Sequence, residues 1–284
     1  MSFKPGQVYS LPHNSLAFNE PHSLARSQMT QQILTGSSIY SKAVAWWELD
    51  ETNGNLYKDG VVLHGSSQYN MQYDANPGLA NTQPTLRLGG ANSILCTSAF
   101  SPGLHIVNGH IVEIVGAMDH SVIAWYKPNS PNTAVRNILC EFNNTLDDTG
   151  NGQFGLLVSA AGNPGSRWSF SAAQTQEVNL SSSVLVAGTT YFLGYNKITA
   201  GKLVEHYTNG ALQKSSAYVN EPTGGGAQIN MLGSIVGSAV NGADGFIQGV
   251  AVFTPALTAV EHAFLYNSGN GYSCDQIKAL AGRH

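Results

Sequence analysis

The sequence predicts an all-β protein, an antiparallel two-sheet β-sandwich, and three observations lead to that prediction. From Ser41 onward, short apolar or alternating runs are separated by clusters of Gly, Asn and Pro, roughly every 8–15 residues. No helical pattern alternates with these runs, which disfavours a parallel sheet with crossover helices. Asn209-Gly210 separates two of the runs, and this pair accepts the positive φ angles of a tight hairpin.

The chain of 284 residues is expected to divide near residue 40. Residues 1–40 are polar and contain several prolines, and they predict an N-terminal arm with one short helix. Asn19 would cap this helix, Pro21 would lie in its first turn and Gly36 would end it. The apolar stripe of the arm is too thin to fold alone. We therefore expect the arm to reach a neighbouring copy, while residues 41–284 form the sandwich.

The strand candidates share an apolar or alternating pattern bounded by turn residues. They are 42–50, 60–64, 69–73, 85–88, 92–96, 110–116, 120–127, 136–142, 153–159, 167–172, 183–187, 190–198, 203–208, 211–218, 228–233 and 245–253.

Two short helices are predicted after the last strand. Thr258 and Glu261 form a T-x-x-E capping box that opens the first helix, which Gly269 can end. Ser273 and Gln276 form a second box that opens a terminal helix. The sandwich is thus expected to close with a strand followed by two capped helices.

Five segments in a fixed order carry a family resemblance. They are an opening strand with W-x-L-D-E at 44–54, an L-x-L-G turn at 86–90, an A-W-Y-K-P strand at 120–128, a Y-T-N-G hairpin at 207–210, and the strand–turn–helix segment at 245–271. Together they resemble LamG-like domains of the concanavalin A-like lectin/glucanase superfamily. The resemblance implies a jelly-roll sandwich of a type that also occurs in bacteriophage virion proteins.

Composition excludes several classes of protein. Charged residues make up 11% of the chain and the formal net charge is −4, without a Lys/Arg cluster, so nucleic-acid binding is not expected. No apolar stretch is long enough to span a membrane. The start of the sequence lacks the apolar region of a signal peptide. Cys96, Cys140 and Cys274 are far apart, which is typical of reduced thiols.

Catalysis is not expected. The resemblance includes glucan hydrolases, whose laminarinase-type members carry their acids as E-x-D-x-x-E on one strand face. Glu48 and Asp50 share a face, but Asn53 stands where the third acid would be. A retaining glycosidase needs two carboxyl groups about 5 Å apart.

Two weaker site predictions concern metal and sugar. Asp147 and Asp148 lie in an oxygen-rich loop that suits calcium, although a solvated hairpin loop is the alternative. No other cofactor is expected. If a sugar binds, Trp46 is predicted as its stacking platform, supported by Tyr126, with a buried core aromatic as the alternative for both residues. The resemblance places Trp125 in the core.

Three functions are therefore considered. The first is a non-catalytic structural or adhesion protein of a bacteriophage virion, as capsid decoration, head fibre or tail fibre. It would fold in the host cytoplasm and bind its own copies, other virion proteins and a host-surface glycan. The second is a bacterial or secreted carbohydrate-binding module, which would be extracellular. The third, a glucan hydrolase, is disfavoured by the missing acid.

Overall fold

The computed structural model describes residues 20–47, 70–73, 80–82, 93–96, 104–107, 118–132, 134–142, 154–169, 176–221, 229–232 and 243–282. The helices within them are α1 (Glu20–Lys42), α2 (Ala259–Tyr266) and α3 (Cys274–Ala281), with a 3₁₀ turn at Asn267–Gly269 between the last two. None of these helices is long and apolar enough to cross a membrane.

The rest of the described chain is dominated by short strands. They are β1 (Ala43–Trp47), β2 (Asn70–Tyr73), β3 (Ala80–Thr82), β4 (Ser93–Cys96), β5 (Leu104–Val107), β6 (His120–Pro128), β7 (Arg136–Phe142), β8 (Phe154–Val158), β9 (Pro164–Ser169), β10 (Gln176–Leu180), β11 (Tyr191–Ile198), β12 (Leu203–Thr208), β13 (Ala211–Ala217), β14 (Ile229–Leu232) and β15 (Gly245–Phe253).

These strands form two sheets, which confirms the predicted fold class. The first sheet has eight strands in the order β13-β12-β11-β6-β15-β4-β3, with β1 paired to β15. The second has seven strands in the order β10-β9-β8-β7-β14-β5-β2. All pairings between described strands are antiparallel.

Strand β6 shows how the first sheet separates two apolar cores. Val122, Ala124 and Tyr126 point toward the second sheet and belong to the core between the sheets. Ile123 and Trp125 point the other way and pack in a second core beneath the three helices. Alternation along the strand therefore places apolar side chains on both faces, because both faces of this sheet are covered.

Helices α2 and α3 both begin at the predicted capping boxes. Thr258 and Glu261 make both hydrogen bonds of a capping box at the start of α2. Ser273 and Gln276 do the same for α3. Asn267, in a left-handed conformation, ends α2 ahead of Gly269.

The predicted end of the N-terminal helix at Gly36 is wrong, because α1 continues to Lys42. A Cβ atom at Gly36 would lie 2.7 Å from Cβ of Leu280, so this glycine allows α1 to approach α3 closely. Ile39 is fully buried in the core beneath the helices. The last turns of the helix therefore pack on the chain's own sandwich, and the boundary predicted near residue 40 falls inside a helix.

The strand predicted at 183–187 is also wrong. Residues 181–190 lead from β10 in the second sheet to β11 in the first, so they leave one sheet before joining the other. Leu185 is buried in the core between the sheets, whereas Val184 and Val186 are exposed. The apolar alternation there reflects a crossover with one anchored side chain. The hairpin at Asn209-Gly210 is confirmed, with φ angles of 52° and 74°.

Candidate ligand-binding rim

The predicted sugar platform is not on the surface. Trp46 is 3% exposed and packs edge-on against Phe253, with ring centroids 5.7 Å apart, in the core beneath the helices. Tyr126 is fully buried between the sheets, and its hydroxyl donates to the carbonyl oxygen of Asp244 at 3.1 Å. A stacking ring must present a face to the ligand, so this prediction is corrected. Trp125 is a core residue, as predicted.

The physical reason is the helical layer. Sequence alternation assigns one strand face to the core and the other to solvent, but α1, α2 and α3 cover the outer face of the first sheet. Among the side chains that the structure describes, the large apolar ones that are exposed are Met, Leu and Val residues, without an aromatic ring.

The predicted calcium ligands Asp147 and Asp148 lie outside the described residues, so a calcium site there stays a prediction. Within the described part of the chain, no group of three or more His, Cys, Asp or Glu side chains is placed to hold a metal ion.

Charged side chains meet instead at one end of the sandwich. Asp119 precedes β6, Lys197 lies near the end of β11, and Glu177 lies near the start of β10. Tyr218 and Glu221 follow β13. We call these five residues the ionic rim. Antiparallel pairing brings them together, because β11 and β13 end where β6 and β12 begin.

Lys197 is the buried centre of the ionic rim. Its side chain is fully buried, and its Nζ lies 2.9 Å from Oε2 of Glu221 and 4.9 Å from the ring centroid of Tyr218. A buried ammonium group is costly unless it is paired. Burial alone would raise the pKa of Glu221, but hydrogen bonds from Lys197 and Tyr218 outweigh it and lower that pKa. Glu221 is therefore ionised at neutral pH.

The hydroxyl of Tyr218 completes this arrangement by donating to Oε1 of Glu221 at 2.5 Å. Burial, followed by the hydrogen bond to Glu221, raises the pKa of Tyr218 well above its usual value. The phenol therefore stays protonated. Each oxygen of the Glu221 carboxylate thus has an internal partner, while the side chain keeps 39% of its surface in contact with solvent.

The loops of the ionic rim are held by two further carboxylates. Asp119 Oδ1 accepts hydrogen bonds from the amide and the hydroxyl of Thr199, at 2.6 and 2.5 Å, which fixes the β11–β12 turn. Glu177 accepts from the amides of Val219 and Asn220, at 2.8 and 2.7 Å. The segment after β13 is therefore tied to the second sheet.

The ionic rim holds the ionised carboxylates of Asp119 and Glu221 in fixed positions. Burial raises the pKa of Asp119, but the hydrogen bonds from Thr199 and the charge of Lys197 have the larger, opposite effect. The net pKa is therefore lowered, and the carboxylate is ionised. Val219 is 73% exposed beside these groups. Partly exposed carboxylates in a fixed geometry can accept hydrogen bonds from hydroxyl groups without reorganising.

A second polar cluster lies on the opposite face of β11, beneath α2. Asn196 Oδ1 accepts from the Ser121 hydroxyl at 2.6 Å and from Nε2 of His262 at 2.8 Å. Its amide donates to the carbonyl oxygen of Leu257 at 2.8 Å. The His262 ring stacks on Tyr207 with centroids 3.8 Å apart. We call Ser121, Asn196 and His262 the helix-side cluster.

The helix-side cluster resembles catalytic residue types but not a catalytic site. Its three side chains are at most 1% exposed, so a substrate has no access to them. Burial lowers the pKa of His262 to about 3, which keeps the ring neutral. Its role is to attach the segment 254–262 to the first sheet.

Sequence reasoning missed the ionic rim. Lys197 stands at an inward position of β11, two residues beyond the buried Tyr195, and a charge in that alternation is the one signal the sequence offered. Its partner Glu221 is supplied by a distant loop, which single-sequence reasoning cannot pair with it.

Comparisons with known proteins show which family the chain resembles. A profile of the concanavalin A-like lectin/glucanases superfamily matches residues 107–261, which is more than half of the chain. A search of curated proteins found no match.

Solved structures of the same fold come from binding domains. The botulinum neurotoxin serotype D binding domain matches with a TM-score of 0.60 and 13% identity, over 82% of this chain and 52% of that one. The binding domain of Paraclostridial Mosquitocidal Protein 1 gives 0.59 and 13%, over 81% and 53%. The chain thus spans about half the length of these two domains.

A third structure is matched almost completely. Domain 4 of AbnA, an extracellular GH43 arabinanase from Geobacillus stearothermophilus in complex with arabinotriose, gives a TM-score of 0.56 and 15% identity, over 78% of this chain and 97% of that domain. At this identity the likeness concerns the fold. With more than half of its length matched by the family profile, the chain belongs to the concanavalin A-like lectin/glucanase superfamily.

Proposed function

We propose that this chain is a non-catalytic, lectin-like binding module whose ligand is a glycan. The observation that carries the proposal is the ionic rim: ionised, partly exposed carboxylates are fixed beside the exposed Val219 at one end of a lectin-like sandwich. Sugar hydroxyls can donate hydrogen bonds to such oxygens. A site that is already fixed loses less conformational entropy on binding than a mobile one.

The superfamily includes hydrolases as well as lectins, and the described carboxylates favour the lectin alternative. A glycosidase general acid needs a raised pKa to stay protonated at working pH. Asp119, Glu221 and Glu261 all have lowered pKa values, because internal hydrogen bonds outweigh their burial. Glu48 and Asp50 lie outside the described residues, so the absence of catalysis stays a prediction.

A fold neighbour supports the choice of ligand. The arabinanase domain that this chain matches over nearly its whole length is described in complex with arabinotriose. The two toxin neighbours are described as binding domains, one of them a receptor-binding domain in a related structure. A glycan on a cell surface or in a polysaccharide is therefore the partner we propose.

The test is a binding experiment with two arginine variants. The full chain is applied to an oligosaccharide array that includes arabinotriose, and the best ligand is titrated by calorimetry. Val219→Arg places a long cation across the rim without removing an internal hydrogen bond, and we expect about tenfold weaker binding. Val260→Arg, on the exposed side of α2 at 66% exposure, is the matched control and should bind normally.

Two results would contradict the proposal. Equal binding by both variants would place the ligand elsewhere on the molecule. Release of reducing ends from any bound glycan would show an enzyme.

The narrower prediction of a bacteriophage virion protein remains part of the proposal. It is supported by the low charged fraction of the sequence, 11%, and by the resemblance stated above. Mass spectrometry of purified particles from a phage that encodes the chain would test it. Detection at a fixed stoichiometry to the capsid protein is expected, and absence from the particle would leave the carbohydrate-binding module.

A further inference from the structure

Helix α1 has an embedded part and a projecting part. In residues 35–42, Thr35, Gly36 and Ile39 are buried, and Nζ of Lys42 lies 2.6 Å from Oε2 of Glu261 on α2. In residues 27–34 the side chains are exposed except that of Ile33, which is partly buried. The helix thus leaves the surface of the sandwich about two turns before its embedded end.

The projecting part carries apolar groups into solvent. Met29 is 49% exposed and Leu34 is 50% exposed. Met29 and Gln32 lie on the helix face that Gly36 and Ile39 continue into the contact with α3, since residues three and four apart share a face. The packed stripe therefore runs on beyond the body of the protein. A single projecting helical segment of this length has little stability of its own in water.

The chemistry of this segment identifies its partner. Residues 27–41 contain no Asp, Glu, Lys, Arg or His. Arg26 and Lys42 flank this uncharged segment. A symmetric contact between identical helices brings each side chain near its own copy, where like charges would repel. Glutamine amides both donate and accept hydrogen bonds, so Gln28 and Gln32 can each pair with the same residue of a second copy.

We propose that residues 27–34 of α1 form a helix–helix contact with the same segment of a second copy of this chain. The contact extends the stripe that already packs on α3, and it covers Met29 in both copies. A module that binds a repetitive glycan surface gains avidity from such pairing, because the second binding event becomes intramolecular. The contact itself does not depend on the ionic rim.

Analytical ultracentrifugation of the full chain over a dilution series tests the proposal. The unaltered protein is expected to be larger than one copy and to dissociate on dilution. Met29→Glu combined with Gln32→Glu places like charges across the contact and should weaken association about tenfold or more. The control Val260→Glu adds a charge at a similarly exposed helical position and should associate normally.

Circular dichroism of the double variant and the control checks that both sandwiches remain folded. Glycan binding per copy in solution should be unchanged in the double variant, which separates this proposal from that of the rim. A monomer at every concentration, or association that is insensitive to the two glutamates, would overturn the inference. Partial loss in the double variant with an unchanged control supports it.

Discussion

Asn196 and Lys197 are neighbours in β11, yet they belong to two polar clusters of opposite character. Asn196 points toward α2 and is 1% exposed, and its side chain is hydrogen-bonded to Ser121, His262, the Leu257 carbonyl oxygen and the Glu205 carboxylate. Lys197 points between the sheets and forms an ion pair with Glu221, whose side chain is partly exposed.

The difference separates polar groups that hold the fold together from those that we propose for ligand binding. The buried hydrogen bonds of Asn196 contribute to the attachment of α2, and a ligand has no way to reach them. The ionic rim holds the partly exposed side chain of Glu221 in place through its ion pair with the buried Lys197. The attraction between Lys197 and Glu221 offsets part of the cost of burying the ammonium group, and it also fixes the position of the carboxylate.

The largest expected effect is on the helix-side cluster. Asn196→Ala removes the partner of the Ser121 hydroxyl, of His262 and of the Leu257 carbonyl, all of which are buried. Each buried group left without a partner costs about 1–3 kcal/mol, so we expect the free energy of unfolding to fall by about 3 kcal/mol. Urea denaturation measures it. A loss below about 1 kcal/mol would show that water replaces the asparagine.

The ion pair should respond asymmetrically. Glu221→Gln leaves Lys197 buried without its counter-ion, and we expect a loss of about 2 kcal/mol, less than for a fully buried pair because Glu221 is partly solvated. Lys197→Met fills the same space with an apolar side chain and leaves a carboxylate that water can reach, so its effect should be within about 1 kcal/mol. Equal losses in the two variants would contradict this reading.

Acid should destabilise the protein first through its buried histidines. Burial lowers the pKa of His262 to about 3, and the pKa values of His120 and His206 to about 4. The unfolded chain binds their protons near pH 6.5 and the folded chain does not, so stability is complete above that pH and falls as the pH decreases.

The charged groups near these histidines also affect the pH range in which the protein loses stability. Asp119 and Lys197 face His120, Lys214 faces His206, and Glu261 and Lys42 lie near His262. Carboxylates with lowered pKa values begin to contribute only below about pH 4.5. Between pH 6.5 and 4.5 these three described histidines should contribute up to three protons to the slope, at about 1.4 kcal/mol per proton and pH unit.

Replacing His262 should reduce that slope by one proton. His262→Gln keeps a donor toward Asn196, so the folded protein remains comparable at pH 8. Thermal melts from pH 8 to pH 4.5 measure the change. An unaltered slope in this variant would show that His262 does not stay neutral in the folded protein.

The sequence predicted those features that depend on local pattern. The capping boxes at Thr258 and Ser273 and the hairpin at Asn209 have their signals within four residues, and all three are confirmed. The prediction that Trp46 lies at the surface was wrong. Of the helices that cover it, α2 and α3 are distant in sequence, so a local pattern does not reveal that they pack on the sheet. The ionic rim was missed for the same reason. The pairing of β11 with β12 and of β12 with β13 brings Glu221 to Lys197, and no local pattern predicts that contact.

The most direct test of the ionic rim is the amide spectrum of the ¹⁵N-labelled chain during titration with arabinotriose or the best ligand from the array. The account predicts the largest shifts at Thr199, Val219 and Asn220, whose amides donate to the carboxylates of Asp119 and Glu177. Asn129 and Ser130, which follow the far end of β6, serve as the internal reference and should not move. Shifts confined to that far end, with an unchanged rim, would contradict the claim that this rim is the binding site.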